Sequence, residues 1–175
     1  MKNKVRACFK ALGFRYDNSD FEDRLTAQKI IYLLKLKGVT RLDFPFRLYL
    51  NGPYSRELAS ELRQPTEQEE LNSTDEKKIE DFKEVFRELD AKVLEAAATY
   101  ALYAFQRKFD AVSATKNTRI FKKSIPNTKL ESGISKAKEL LYKPTPKDLE
   151  EMKKEFSAWE VAAREDFTKW EALNN

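Results

Sequence analysis

Histidine is missing altogether from the 175 residues of this chain, and cysteine occurs once, as Cys8. The first absence removes the usual general base, the commonest metal ligand and the imidazole of every ordinary serine or cysteine triad. The second forbids an intramolecular disulfide, which excludes the bridge-stapled secreted class and points to a reducing, cytoplasmic setting. Cys8 itself reads as a small buried hydrophobe. Zinc would be left with carboxylates, whose hard oxygens suit magnesium or calcium better, and no calcium-loop spacing occurs. No metal and no cofactor are therefore expected. Glycine is scarce at 4 residues, and Gly52-Pro53 lacks the Gly-Lys-Ser/Thr ending that a nucleotide-cradling loop needs. Apolar runs such as Ile30 to Leu34 are far too short to span a bilayer, and the basic start MKNKVRACFKALGF lacks the unbroken apolar stretch of a signal peptide.

What is present is apolar surface enough for one core, 41% hydrophobic and 12% aromatic, under an exterior on which 35% of residues are charged. The expected organisation is a helical domain over 1–143 and a C-terminal helix over 144–175. The net charge of +4 conceals alternating blocks: 10 basic residues against 4 acidic in 1–41, 8 against 14 in 42–106, 10 against 3 in 107–143, and 5 against 8 in 144–175. Such blocks pair with one another across a fold, solvate a face, or meet an acidic partner. Adjacent acidic pairs such as Glu69-Glu70 and Glu150-Glu151 would diverge on a helix, so no acid/base dyad emerges and a non-enzymatic protein is expected.

The pattern predicts a mainly α fold. Val5, Cys8, Phe9 and Leu12 mark a short helix over 3–13, closed by Gly13. Ser19 or Asp20 caps a helix from Phe21 to about Lys37, ended by Gly38; its apolar second half, Ile30 to Leu36, belongs at the centre of the fold. Phe44 to Leu50 alternates as a short strand, Asn51 to Ser55 forms a tight turn, and Ser55 caps a helix through about Arg63. Residues 64–72 read as a solvated linker. Ser73 and Glu76 have capping-box spacing before a helix bearing Ile79, Phe82, Phe86 and Leu89. Asp90 then breaks the chain ahead of a helix from Ala91 to Lys108 whose small residues, Ala97, Ala98 and Ala101, allow close contact. A short helix near Ala114–Lys123 and another through Ile134, Ala137, Leu140 and Leu141 follow. Thr145 and Pro146 launch a final helix with Met152, Phe156, Trp159, Ala163, Phe167 and Trp170 on one stripe, to be buried against the domain or against a second copy of the chain.

Two segments carry a resemblance. Leu25-Thr26-Ala27-Gln28-Lys29-Ile30-Ile31-Tyr32-Leu33-Leu34 and Phe46-Arg47-Leu48-Tyr49-Leu50-Asn51-Gly52-Pro53-Tyr54-Ser55-Arg56-Glu57-Leu58 resemble the YwgA-like phage-associated family and, more distantly, the Panacea (SocA-like) antitoxin domain. There, a helix with an LQKLLYL-type core precedes a short strand and a GPYS turn. The resemblance covers about residues 20–142. It implies a compact helical domain that neutralises a toxin, or presents one for proteolysis, in a phage or mobile-element context.

Two candidate surfaces follow. Gln28, Lys29 and Tyr32 lie on one face of the central helix, and the GPYS turn can bring Tyr54 and Ser55 alongside, with Tyr49 before it: a protein-contact patch with tyrosine anchors, or side chains that merely satisfy a turn. Lys116, Arg119, Lys122, Lys123 and Lys129 form the densest basic segment, with Phe121 among them; phosphate contact through segments 1–41 and 107–143 would make a nucleic-acid-binding regulator instead. No recognised nucleic-acid motif accompanies them.

Overall fold

A computed structural model describes residues 2–64, 67–68 and 70–142, together with the single positions 150, 157, 161 and 164. The chain divides into two units, 1–141 and 142–175. The aromatic stripe from Met152 to Trp170, and the launch of its helix at Thr145, lie outside the described residues. The first unit is mainly helical, as the periodicities predict.

After a two-residue strand β1 (Lys2–Asn3), α1 (Lys4–Leu12) buries Val5, Cys8, Phe9 and Leu12. Helix α2 (Phe21–Lys37) has the predicted bounds. Of its two candidate caps Asp20 takes the role, its carboxylate accepting the Asp23 N–H at 3.0 Å, while Ser19 instead donates to Asp17. From Thr26 to Leu34 every residue of α2 is buried, because this helix is covered on several sides. Helix α5 (Ala91–Ala101) lies beside it and is itself buried from Val93 onward. Along α5 runs α7 (Asn127–Leu141), and the approach is as close as backbones permit: a Cβ built on Gly133 would stand 2.5 Å from the Val93 carbonyl oxygen and 2.7 Å from the Ala96 Cβ. At that approach stand Val93, Ala96 and Ala97, of which Ala97 is among the small residues expected to allow it.

Several local expectations are corrected. The strand is shorter than Phe44–Leu50, and the Gly-Pro-Tyr segment is not its turn but a second strand: β2 (Arg47–Tyr49) and β3 (Gly52–Tyr54) form an antiparallel hairpin turning at Leu50-Asn51, with Arg47 opposite Tyr54 and Tyr49 opposite Gly52. Pro53 conceals this from a sequence reading, because proline usually argues against a strand; here it sits opposite Leu48 in a two-stranded ribbon. Ser55 caps α3 (Arg56–Leu62) as predicted, its hydroxyl accepting the Leu58 N–H at 3.3 Å. The stretch 64–72 is more than a linker, since β4 (Glu67–Gln68) pairs in parallel with β1. Asn72, not Ser73, caps α4 (Ser73–Val85), accepting the Asp75 N–H at 2.8 Å, and the helix stops before Phe86 and Leu89. α6 (Ala111–Phe121) starts three residues earlier than expected because Asp110 caps it, and α7 begins at Asn127 rather than near Ile134.

One irregularity was invisible to periodicity. Helix α5 does not continue regularly to Lys108 but widens into a π turn over Leu102–Gln106, where the Arg107 N–H reaches the Leu102 carbonyl at 2.9 Å. Elsewhere α1 and α4 are joined by a buried charge cluster: Asp75, fully buried, accepts from Lys4 Nζ and Thr40 Oγ1 at 2.7 Å each and from the Thr40 N–H at 3.0 Å.

Candidate functional site

The hairpin β2–β3 is the point on which the unusual side chains converge. Gln28, in the middle of α2, faces Ser55 as a two-way clamp: its amide nitrogen donates to the Ser55 carbonyl at 3.0 Å and its amide oxygen accepts the Ser55 N–H at 2.9 Å. One residue on, Lys29 donates from Nζ to the Pro53 carbonyl at 3.0 Å. One turn further, the Tyr32 hydroxyl donates to Gln106 Oε1 at 3.0 Å, and the Gln106 amide nitrogen donates to the Phe46 carbonyl at 3.0 Å. The π turn thus delivers a side chain to the residue before β2. From the other flank Lys122, just after α6, donates to the Leu50 carbonyl at 2.7 Å and to Glu95 Oε1 at 2.6 Å. Gly52 fits only as glycine: its φ is +88°, and an added Cβ would lie 2.8 Å from Thr99 Oγ1 on α5. Buried polar groups are therefore committed to fixing one ribbon, residues 47–54.

The electrostatics follow from that burial. Lys29 is 2% exposed. Burial pushes its ammonium down to about 7, with the Glu95 charge opposing and the Lys122 charge assisting. A single carboxylate, Glu95, stands among Lys29, Lys92 and Lys122, and it hydrogen-bonds Lys122. The Lys122 ammonium is also lowered by burial, against the pull of Glu95. Burial likewise raises the Tyr32 phenol well above its usual value.

What the hairpin shows to solvent is different in kind. Tyr49 is 42% exposed and Leu50, at the tip, 84%. The Tyr49 and Tyr54 rings meet edge to face, with centroids 5.4 Å apart. They wall a cleft of about 290 Å³ completed by Pro45, Arg47, Arg56 and Glu57. Tyr54 also borders a smaller cleft of about 110 Å³ with Phe21, Arg24 and Leu25, and Lys29 lines a third of about 160 Å³ with Phe21, Thr26 and Glu95.

The six residues of the first candidate set are thus brought to one ribbon, but on two sides of it. Gln28, Lys29, Tyr32 and Ser55 are buried behind, while Tyr49 and Tyr54 face outward. Arg47 and Arg56 were not singled out from the sequence; the hairpin register, which sets Arg47 opposite Tyr54, is the signal that finds them. The basic set is dispersed. Lys122 is 2% exposed and belongs to the ribbon's support. Arg119 makes a two-pronged pair with Glu131 at 2.8 and 3.0 Å, and Lys129 pairs with Asp90 at 2.7 Å. Lys116 and Lys123 stand exposed. Among the described residues no three potential metal ligands converge, and no helix is long and apolar enough to cross a membrane. No family model, no curated protein and no solved structure matches the chain.

Proposed function

We propose that the chain is a non-enzymatic protein-binding module, antitoxin-like or adaptor-like in a phage or mobile-element context, that meets its partner with the outer face of the β2–β3 hairpin. The observation that carries this reading is the contrast across the ribbon. Three long buried side chains, Gln28, Lys29 and Lys122, and the exposed Gln106 hold the backbone of the ribbon and its flanks, and the face so fixed presents Tyr49 and Leu50 to solvent beside a half-buried Tyr54. Tyrosine and arginine dominate the energetics of protein interfaces, and an anchor already held in place loses little freedom on docking. The resemblance of the two segments that build this feature to antitoxin-type domains supports the same reading.

Co-expression with the products of the flanking genes tests it. The wild-type chain is expected to retain one of them on an affinity column and to relieve its toxicity, and a Tyr49→Ser/Leu50→Ser variant with an unchanged circular dichroism spectrum to do neither. Capture that is indifferent to these two exposed residues would overturn the hairpin assignment. The rival reading, a nucleic-acid-binding regulator, has Lys116 and Lys123 as the cations of its five with no ion-pair partner among the described residues. Affinity for DNA or RNA that falls steeply with salt would favour it.

A further inference from the structure

We infer that the Tyr49–Tyr54 cleft is a carboxylate receptor, taking an acidic side chain of an extended partner segment between the Arg47 and Arg56 guanidiniums. The inference rests on the protein-binding reading of the hairpin and specifies the chemistry of what docks there.

Two arginines near the ribbon are occupied. Arg6 donates to the Leu62 carbonyl at 2.9 Å, and Arg24 donates to the carbonyls of Asn18 and Ser19 at 2.8 and 3.1 Å. Arg47 and Arg56 are not: neither has a hydrogen bond or ion pair to any described residue, and both line the cleft. The carboxylate that shares the cleft with them already has a partner: Glu57 accepts from the Ser55 hydroxyl at 3.0 Å. Its carboxyl is held below the usual range by its own backbone N–H and by that hydroxyl, with Arg47 and Arg56 as more distant contributions. The cleft is left with two guanidiniums against one acid, an excess of a single positive charge. The hydroxyls of Tyr49 and Tyr54 have no hydrogen-bond partner among the described residues, so two further donors stand beside the arginines.

A carboxylate answers this inventory. It accepts on both oxygens, matches the forked donors of a guanidinium, and balances one charge. The walls, two tyrosine rings and Pro45, suit the apolar neighbours of an acidic residue in a peptide. A polyphosphate fits poorly, because Glu57 stands in the cleft and the surrounding sequence, 42–106, holds 14 acidic residues against 8 basic.

The test uses the isotope-labelled full chain, titrated with the pentapeptide acetyl-Leu-Asp-Phe-Asp-Leu-amide and, separately, with its Asn-for-Asp analogue. The acidic peptide is expected to shift the amide signals of Arg47, Tyr49, Tyr54 and Arg56 and the side-chain Nε–H signals of both arginines, saturably. Arg47→Gln and Arg56→Gln should each weaken it about fivefold to tenfold, the loss of one charge-assisted pair in water. Equal binding of the Asn analogue, shifts confined to other residues, no shifts at all, or displacement by a thymidine oligonucleotide at lower concentration would each overturn the inference. Partner capture lost by Tyr49→Ser/Leu50→Ser but kept by Arg47→Gln/Arg56→Gln would also overturn it while leaving the hairpin reading intact.

Discussion

Gln28→Leu isolates the clamp with little change of volume. In the native chain Gln28 serves both backbone groups of Ser55, a residue 1% exposed, so no water can replace it. The two losses are unequal. The Ser55 carbonyl keeps a second donor, the Ala59 N–H at 3.1 Å, whereas the Ser55 N–H has no other acceptor among the described residues. An orphaned buried donor costs roughly 1–3 kcal/mol and a hydrogen bond lost with its carbonyl still served costs about 1 kcal/mol, so the variant should be destabilised by about 3 kcal/mol. Against a total of roughly 5–15 kcal/mol for a domain, that is a large fraction. With an m-value of roughly 2 kcal/mol/M, the urea midpoint followed by circular dichroism should fall by about 1.5 M with unchanged slope. Amide exchange supplies the local readout: Ser55 and Leu58 should lose protection more than Ile30 or Leu33 on the same central helix. A midpoint shift under about 0.3 M would refute the claim that Gln28 fixes the hairpin's exit, since it would place the cost below about 0.6 kcal/mol.

Asp75→Asn should cost about 3–5 kcal/mol at neutral pH, because it strands the buried Lys4 ammonium without its counter-charge. Burial would raise the Asp75 carboxyl, but hydrogen bonds from Lys4 and Thr40 outweigh it and hold it at about 2, below the ordinary 3.8. The wild type's margin over this variant should therefore be full above about pH 4 and shrink as pH falls toward 2 in acid titrations of the urea midpoint; a constant margin would refute it. Lys29 works with the opposite consequence: its folded ammonium is depressed to about 7 from 10.5, so between those values the unfolded chain binds more protons and stability rises with pH. The stability of the wild type relative to Lys29→Met should climb from pH 7 to about 10, by at most about 1.4 kcal/mol per pH unit, and stay flat below 7. Gly133→Ala should destabilise by about 1–3 kcal/mol through forced separation of α5 and α7, read as a lower thermal midpoint; a neutral result would mean the helices part freely.

Helix α2 was legible to the residue because its signals are local: an aspartate cap, an apolar run, a terminal glycine. The hairpin was not, because its identity rests on pairing between Arg47–Tyr49 and Gly52–Tyr54, and one of those strands contains a proline that local propensity counts against it. The parallel contact of Lys2–Asn3 with Glu67–Gln68 was beyond reach for the same reason, as nothing in two polar residues announces a partner so distant in the chain. Lys122 shows a further limit. In sequence it is one cation of a basic run, and only the position of Glu95 and the Leu50 carbonyl reveals that it is interior. Of the candidate site, the segments were readable and the sidedness was not, since Gln28 and Tyr54 are both candidate contact residues yet lie behind and in front of the same ribbon.

The π turn at Leu102–Gln106 holds one residue more than a regular helix would take up. Were the same residues wound as a regular α-helix instead, everything beyond the turn would swing by about 100° and advance by about 1.5 Å. Gln106 would then aim away from both Tyr32 and the Phe46 carbonyl. The regularly wound chain would own the tidier rod and the looser hairpin, so the surplus residue is best understood as a spacer that keeps Gln106 in phase with Tyr32 and Phe46.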